Sequence, residues 1–207
     1  MMKDEWGRKI MYKGYELRGW VTPDRLRQYT GFIEGIKGGI IVEVGVYGGA
    51  SLLPLVDLCT KNENKLYGID PWEKNTNSNG KMLNETTEVK LSEFSYHMKK
   101  NRLNVERVIR ELKYEKTVTI IHDFSVNAVK QFKDGSVDVV YIDGNHDYKS
   151  VMIDLQAWSP KVKINGGTLW GDDFQIKEVQ QALSDFTEDG HYSLKNLGSN
   201  GWQLERK

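Results

Sequence analysis

The sequence predicts an α/β fold, a doubly wound and mostly parallel sheet with helices on both faces and an antiparallel last strand. Three observations predict it. Short apolar runs alternate with segments of helical period along most of the chain. Several of the runs end on an acid, as strands do when their carboxyl ends line a ligand crevice. The last two runs, Tyr192 to Leu197 and Trp202 to Glu205, are joined through Gly198-Ser-Asn-Gly201, which is hairpin chemistry.

The elements follow in order. Residues 1–20 mix charged and aromatic side chains with no clear period and read as an N-terminal extension. Thr22-Pro23 reads as an N-cap followed by proline at the first helical position. Leu26, Tyr29, Phe32, Ile33 and Ile36 give that leading helix, within residues 21–39, an apolar face, and Gly38-Gly39 stops it. Strands are expected at Ile40 to Val46, Lys65 to Ile69, Val118 to Ile121, Val137 to Ile142 and Gly167 to Trp170. Helices between and after them are marked by Leu52 to Cys59, Val126 to Phe132, Val151 to Trp158 and Ile176 to Phe186. Residues 74–90 are polar and rich in Asn, Thr and Ser, so a mobile loop is expected there. Leu91, Phe94 and Met98, then Val105, Val108, Ile109 and Leu112, suggest one interrupted helix or two.

The 207 residues fit one domain, with no repeat and no linker. Acidic and basic side chains balance at 29 each, which argues against a nucleic-acid footprint or an anionic-membrane binder. No apolar run approaches a bilayer span and no signal-peptide core opens the chain. The one cysteine, Cys59, lies among Leu55, Val56 and Leu58 and reads as core. A cytoplasmic, reducing setting is expected.

Val42-Glu-Val-Gly-Val-Tyr-Gly-Gly-Ala-Ser51 is a strand entering a glycine-rich turn and then a helix. The dinucleotide fingerprint Gly-x-Gly-x-x-Gly fails here, because Tyr47 and Ala50 stand where glycines are required. Glu-x-Gly-x-x-x-Gly does fit, through Glu43, Gly45 and Gly49, with Tyr47 and Ser51 in the same turn. An acid on the strand suits the ammonium of an amino-acid cofactor better than a pyrophosphate, which points to S-adenosylmethionine. Asp70 ends the second parallel strand at the spacing of a ribose-binding acid, a role either nucleotide cofactor would use. Trp72 and Phe124 are expected near the nucleoside, and Asp123 and Ser125 near adenine. A purely structural strand–helix turn is the plain alternative.

Tyr141-Ile-Asp-Gly-Asn-His-Asp-Tyr148 and Trp170-Gly-Asp-Asp173 are the chemically richest stretches. They aim Asp143, Asp172, Asp173 and His146 at one edge of the sheet, enough oxygen for a hard divalent cation with a base beside it. Asp172 or Asp173 also suits the N-cap of the following helix, and His146 also suits an exposed loop. Asp147 is expected to cap the helix that begins at Tyr148. Trp158 and Trp170 read as core, whereas Trp20 suits either a hydrophobic staple onto the leading helix or a cover over substrate.

On these motifs, with Tyr67-Gly-Ile-Asp-Pro-Trp72 and Gly171-Asp-Asp-Phe174, the chain resembles the class I S-adenosylmethionine-dependent methyltransferases. Within them it is similar to the small metal-dependent O-methyltransferases related to macrocin O-methyltransferase, over roughly residues 18 to 206. The resemblance implies a Rossmann-like sheet of seven strands whose last strand is antiparallel. It also implies a divalent metal, usually magnesium, on Asp143, Asp172 and Asp173, with His146 as the base and Asp143 beside it in the catalytic set. His146 stands where catechol-type relatives carry lysine, which favours a sugar or aliphatic hydroxyl; Asn145 is left either to support a metal ligand or to contact the substrate.

The expected activity is thus magnesium-assisted methyl transfer to a hydroxyl of a sugar or other small molecule, by a protein that forms a homodimer. A catalytically inactive nucleoside-binding partner domain is the alternative. The intact set of Asp143, His146, Asp172 and Asp173 argues against it.

Overall fold

The computed structural model describes residues 7–72 and 91–207, with backbone alone at residues 91 and 92. The expected loop over residues 74–90 lies outside the described residues, as do the first six positions of the extension.

The described part of the extension is not featureless. Strand β1 (Arg8–Tyr12) pairs antiparallel with β2 (Tyr15–Gly19), with Tyr12 opposite Tyr15. Lys13 (φ 48) and Gly14 (φ 84) make the turn between them, both left-handed as a tight hairpin of mirror-image type requires. Helix α1 (Pro23–Ile33) begins as expected, with the Thr22 side chain accepting from the Arg25 N–H at 3.1 Å and proline in the first turn. It ends at Ile33, before Ile36 and the Gly38-Gly39 pair.

Strand β3 (Ile40–Val44) leads through a short 3-10 turn at Leu53–Leu55 into α2 (Val56–Lys61), and then β4 (Lys65–Ile69) follows. Helix α3 (Leu91–Glu111) is a single uninterrupted helix, where the sequence suggested one interrupted helix or two. Beyond it come β5 (Val118–Ile121), the single-turn α4 (Ser125–Ala128), β6 (Val139–Ile142) and α5 (Tyr148–Trp158). Strand β7 (Thr168–Gly171), α6 (Lys177–Thr187), β8 (Tyr192–Gly198) and β9 (Gly201–Arg206) complete the order.

The main sheet has seven strands in the order β5-β4-β3-β6-β7-β9-β8. The first five are mutually parallel, and β9, the last in sequence, runs antiparallel between β7 and β8. Side-chain alternation divides the core between the two faces. Ile41, Val139, Tyr141 and Trp170 face one layer with Tyr29, Ile33 and Cys59. Val42, Val140, Ile142 and Leu169 face the other with Leu155, Trp158 and Leu183. The strand order turns back between β3 and β6, which leaves a crevice at their carboxyl ends. Among the described residues no helix is long and apolar enough to cross a membrane.

Candidate active site

The glycine-rich turn is built at that crevice. Gly45 leaves β3 with φ 93, a conformation L side chains rarely adopt, and its N–H donates to the Ile69 carbonyl at 2.8 Å. A Cβ on Gly45 would lie 1.9 Å from the Asp143 carbonyl oxygen, so the turn and the loop after β6 touch backbone to backbone. Asp70 buckles the turn: one carboxylate oxygen accepts the Tyr47 N–H at 2.8 Å and the other the Trp72 N–H at 2.6 Å. Trp72 is fully buried, and its indole N–H donates to the Tyr47 carbonyl at 2.7 Å.

Glu43 points into the layer under α1 and is wholly buried. Its Oε1 accepts the Ser51 hydroxyl at 2.6 Å, while among the described residues Oε2 makes no hydrogen bond of normal length and has the buried Tyr29 hydroxyl near it. Burial, joined by the Asp143 and Asp70 charges, holds this carboxyl well above the usual range, and the Ser51 and Tyr29 hydroxyls offset only part of that. A buried acceptor of this kind suits an incoming ammonium group.

The N-terminal hairpin covers the same turn. The Arg18 N–H donates to the Gly48 carbonyl at 3.3 Å, and a Cβ on Gly48 would come within 2.5 Å of Arg18 Cβ. Gly49, with φ 79, turns its missing side chain toward Val105 of α3 and Leu53. Trp20, 59% exposed, lies 5.2 Å from the Tyr47 ring, which makes an open aromatic pair beside the turn.

After β5, Asp123 accepts the Phe124 N–H at 2.8 Å, and Phe124 is the residue before α4. The Ser125 hydroxyl accepts the Trp158 indole N–H at 2.7 Å and hydrogen-bonds Asp154, so its side chain serves the fold as well as lying near the crevice. Asp154 is buried in α5, and burial, reinforced by the Asp147 charge, raises its carboxyl to about 6 despite the Ser125 hydrogen bond. A carboxyl raised on folding costs nothing below its unfolded pKa and its full penalty above the folded one. Asp154→Asn should therefore stabilise the protein by on the order of 2 kcal/mol at pH 7 and by almost nothing at pH 4. Denaturant titrations at both pH values test this; an equal gain at pH 4 would remove ionisation as the cause.

The acids converge as the sequence anticipated. The Asp143 N–H continues the ladder to the Val44 carbonyl at 2.8 Å, and the Asp172 N–H reaches the Ile142 carbonyl at 3.2 Å. Asp143, His146 and Asp173 each offer a ligand atom within 4.8 Å of the others. His146 Nε2 lies 2.7 Å from Asp173 Oδ2, and Gln175 donates to Asp173 Oδ1 at 2.8 Å. Asp143, Asn145, His146 and Asp172 line one cleft with Trp202. Burial, then the Asp172 and Asp173 charges, pushes the Asp143 carboxyl up. Burial pulls the His146 imidazole down, but the Asp173 hydrogen bond and the surrounding carboxylates outweigh it and hold the ring above its ordinary value. Neither Asp172 nor Asp173 caps α6, whose N-cap is Ile176; Asp147 does cap α5, accepting the Ser150 N–H at 3.0 Å.

One site residue escaped the sequence. Arg25 of α1 is 1% exposed and grips Asp172 with two hydrogen bonds, Nε to Oδ2 at 3.0 Å and Nη2 to Oδ1 at 2.6 Å. The Tyr141 hydroxyl stands between Asp143 Oδ2 at 3.2 Å and Asp172 Oδ2 at 3.3 Å. The available signal was a charged residue on an apolar helix stripe, in step with Tyr29 and Ile33.

A methyltransferase-domain family profile matches residues 42–174. No curated protein sequence matches. Among solved structures, a Corynebacterium glutamicum protein is similar with a TM-score of 0.65 at 14% identity, over 92% of this chain and 83% of that one. The O-methyltransferase NovP gives 0.64 at 18% identity, over 89% and 78%. The S-adenosylhomocysteine-bound Podospora anserina methyltransferase PaMTH1 gives 0.59 at 12%, over 82% and 72%. At these identities the likeness is one of fold.

Proposed function

This chain belongs to the methyltransferase-domain family, and on that premise we propose that it is a divalent-metal-dependent O-methyltransferase using S-adenosylmethionine, with a sugar or other small-molecule hydroxyl as acceptor. The contact between Gly45 and Asp143 carries the reading, because it sets the glycine-rich turn directly against the acid and imidazole cluster. A donor bound at one and an acceptor bound at the other would meet in line, and positioning is most of what a displacement at carbon needs.

The residues fit both groups. Glu43, the buried acid beside the glycine-rich turn, suits the ammonium of S-adenosylmethionine, and the Asp70 carboxylate at the end of β4 suits its ribose. Asp123, Phe124 and Ser125, on the turn between β5 and α4, are the residues we assign to its adenine. Asp143 and Asp173 supply hard oxygen donors for magnesium or another divalent ion, with Asp172 adjoining. When bound, the sulfonium supplies an electrophilic methyl group and the cation supplies positive charge beside the acceptor oxygen.

His146 takes the hydroxyl proton. A ring that donates from Nε2 to Asp173 keeps Nδ1 as its acceptor, and Asp173 both orients it and makes it more basic. Trp20 and Tyr47 offer ring faces to an acceptor at the mouth, and Asn145 offers an amide. A cytoplasmic homodimer without nucleic-acid or membrane partners completes the proposal, in keeping with the balanced charge.

Calorimetric titration of the protein with S-adenosylmethionine, with magnesium and again with a chelator, tests it. Micromolar binding with NAD inert is expected. Binding of NAD, or of neither compound, would sink the proposal.

A further inference from the structure

We infer that Asp172 is withheld from a bound cation: Arg25 turns it into a brace, and Asp143 and Asp173 are the carboxylates left to hold the ion. This rests on the methyltransferase reading for the expectation of a cation and on the side-chain geometry for everything else.

A carboxylate offers about four acceptor positions, two on each oxygen. Asp172 Oδ1 faces Arg25 Nη2 at 2.6 Å and the Asp173 N–H at 2.8 Å. Its Oδ2 faces Arg25 Nε at 3.0 Å and the Tyr141 hydroxyl at 3.3 Å. Oδ1 therefore meets two donors, while Oδ2 meets Arg25 Nε and a share of the single Tyr141 proton, so a cation could reach Asp172 only at that one contested position.

Arg25 is not placed to yield. Its Nη1 donates to Gln28 Oε1 at 2.6 Å and Nη2 also donates to the Ser199 carbonyl at 2.6 Å. The guanidinium lies 5.5 Å from the Trp170 ring centre, and a Cβ on Gly201 would come within 2.1 Å of Nη1. A guanidinium fixed by so many directed bonds in a closed socket is a permanent counter-charge rather than a movable one. Asp143 differs: its Oδ2 has the shared Tyr141 hydroxyl, and no cationic arginine or lysine pairs with it among the described residues.

The brace has a second effect. Asp173 is left-handed, with φ 63, and its N–H is held by Asp172 Oδ1. That conformation turns the Asp173 carboxylate toward His146. Arg25 is thus a positioning residue that acts through Asp172, and it stands outside the residues matched by the family profile.

The test is a calorimetric titration of the full chain with Mn2+ alone, on the parent, Asp143→Asn, Asp173→Asn and the double variant Arg25→Met/Asp172→Asn. The double variant keeps the charge of the site and removes both members of a buried pair, which folds tolerate better than removal of one. Losses of well over about 100-fold are expected for Asp143→Asn and Asp173→Asn, and of no more than about 10- to 100-fold for the double variant, the usual worth of residues that orient a ligand. A double variant as weak as Asp143→Asn, or a parent that binds no Mn2+, overturns the inference. Should the double variant not fold, Arg25→Gln/Asp172→Asn, which also leaves the net charge unchanged, is read in the same way. S-adenosylhomocysteine is titrated into the same samples. If the parent binds it, the methyltransferase reading stands whatever the Mn2+ result, and if it does not, that reading fails on its own account.

Discussion

Replacing His146 by alanine is expected to cut methyl transfer by roughly 10²- to 10⁴-fold while leaving S-adenosylmethionine affinity within about twofold. The range is the usual worth of a positioned general base. Cofactor binding should survive because the ring belongs to the loop after β6, whereas Glu43 and Asp70 belong to β3 and the end of β4. The imidazole is also half exposed, at 47%, so its loss opens no large cavity. S-adenosylhomocysteine release would be followed with a hydroxyl acceptor that the parent protein turns over, alongside calorimetry with S-adenosylmethionine. Turnover at the parent rate would strip His146 of the base role. Loss of cofactor affinity together with turnover would move it into the cofactor site.

Gly45→Ala is expected to have the largest effect on stability, upwards of about 4 kcal/mol. The added methyl would meet the Asp143 carbonyl oxygen at 1.9 Å, its carbon at 2.5 Å and the Gly144 nitrogen at 2.9 Å. All three are backbone atoms, so no rotamer change can relieve the clash. Strands β3 and β6 would have to part, at the expense of the Asp143 N–H bond to the Val44 carbonyl. Gly135→Ala is the matched control: its φ of 64 is also left-handed, but its Cβ would meet nothing within 4 Å. Only the conformational cost of about 1 kcal/mol applies there. Thermal melts of the two variants give the comparison, and equal melting temperatures would contradict the close contact at Gly45.

Much of the fold was legible because its signals are local. The limits of β4 and β5 follow from apolar runs of strand length closed by a turn or an acid. The antiparallel β9 follows from the glycines at Gly198 and Gly201. The hairpin of β1 and β2 was missed because its turn is Lys13-Gly14 rather than the Asn-Gly or Asp-Gly that marks such turns most strongly. Its strands lie on the surface and alternate weakly, with Met11 67% exposed.

The candidate site divides in the same way. Asp143, His146, Asp172 and Asp173 stand beside strand ends that can be located from the sequence, so their convergence was foreseeable. Arg25 was not, since nothing near it in sequence explains a buried charge; its partner lies 147 residues away. Ser125 shows the opposite case. Its place after β5 was readable, but the claim that Trp158 and Asp154 make on its hydroxyl depends on how α5 packs.

The bond from Arg25 to the Ser199 carbonyl spans 174 residues of sequence. Closing so wide a loop is entropically costly and contributes nothing until both partners are present. During synthesis, which runs at roughly 5–20 residues per second, the nascent chain can pair β3, β4 and β6 well before residue 199 leaves the ribosome. In that interval Arg25 and Asp172, the acid that follows β7, lack the carbonyl that completes their socket. The Arg25–Asp172 socket is therefore among the last parts of the molecule to be finished, and a chain released before residue 199 would hold the five parallel strands without it.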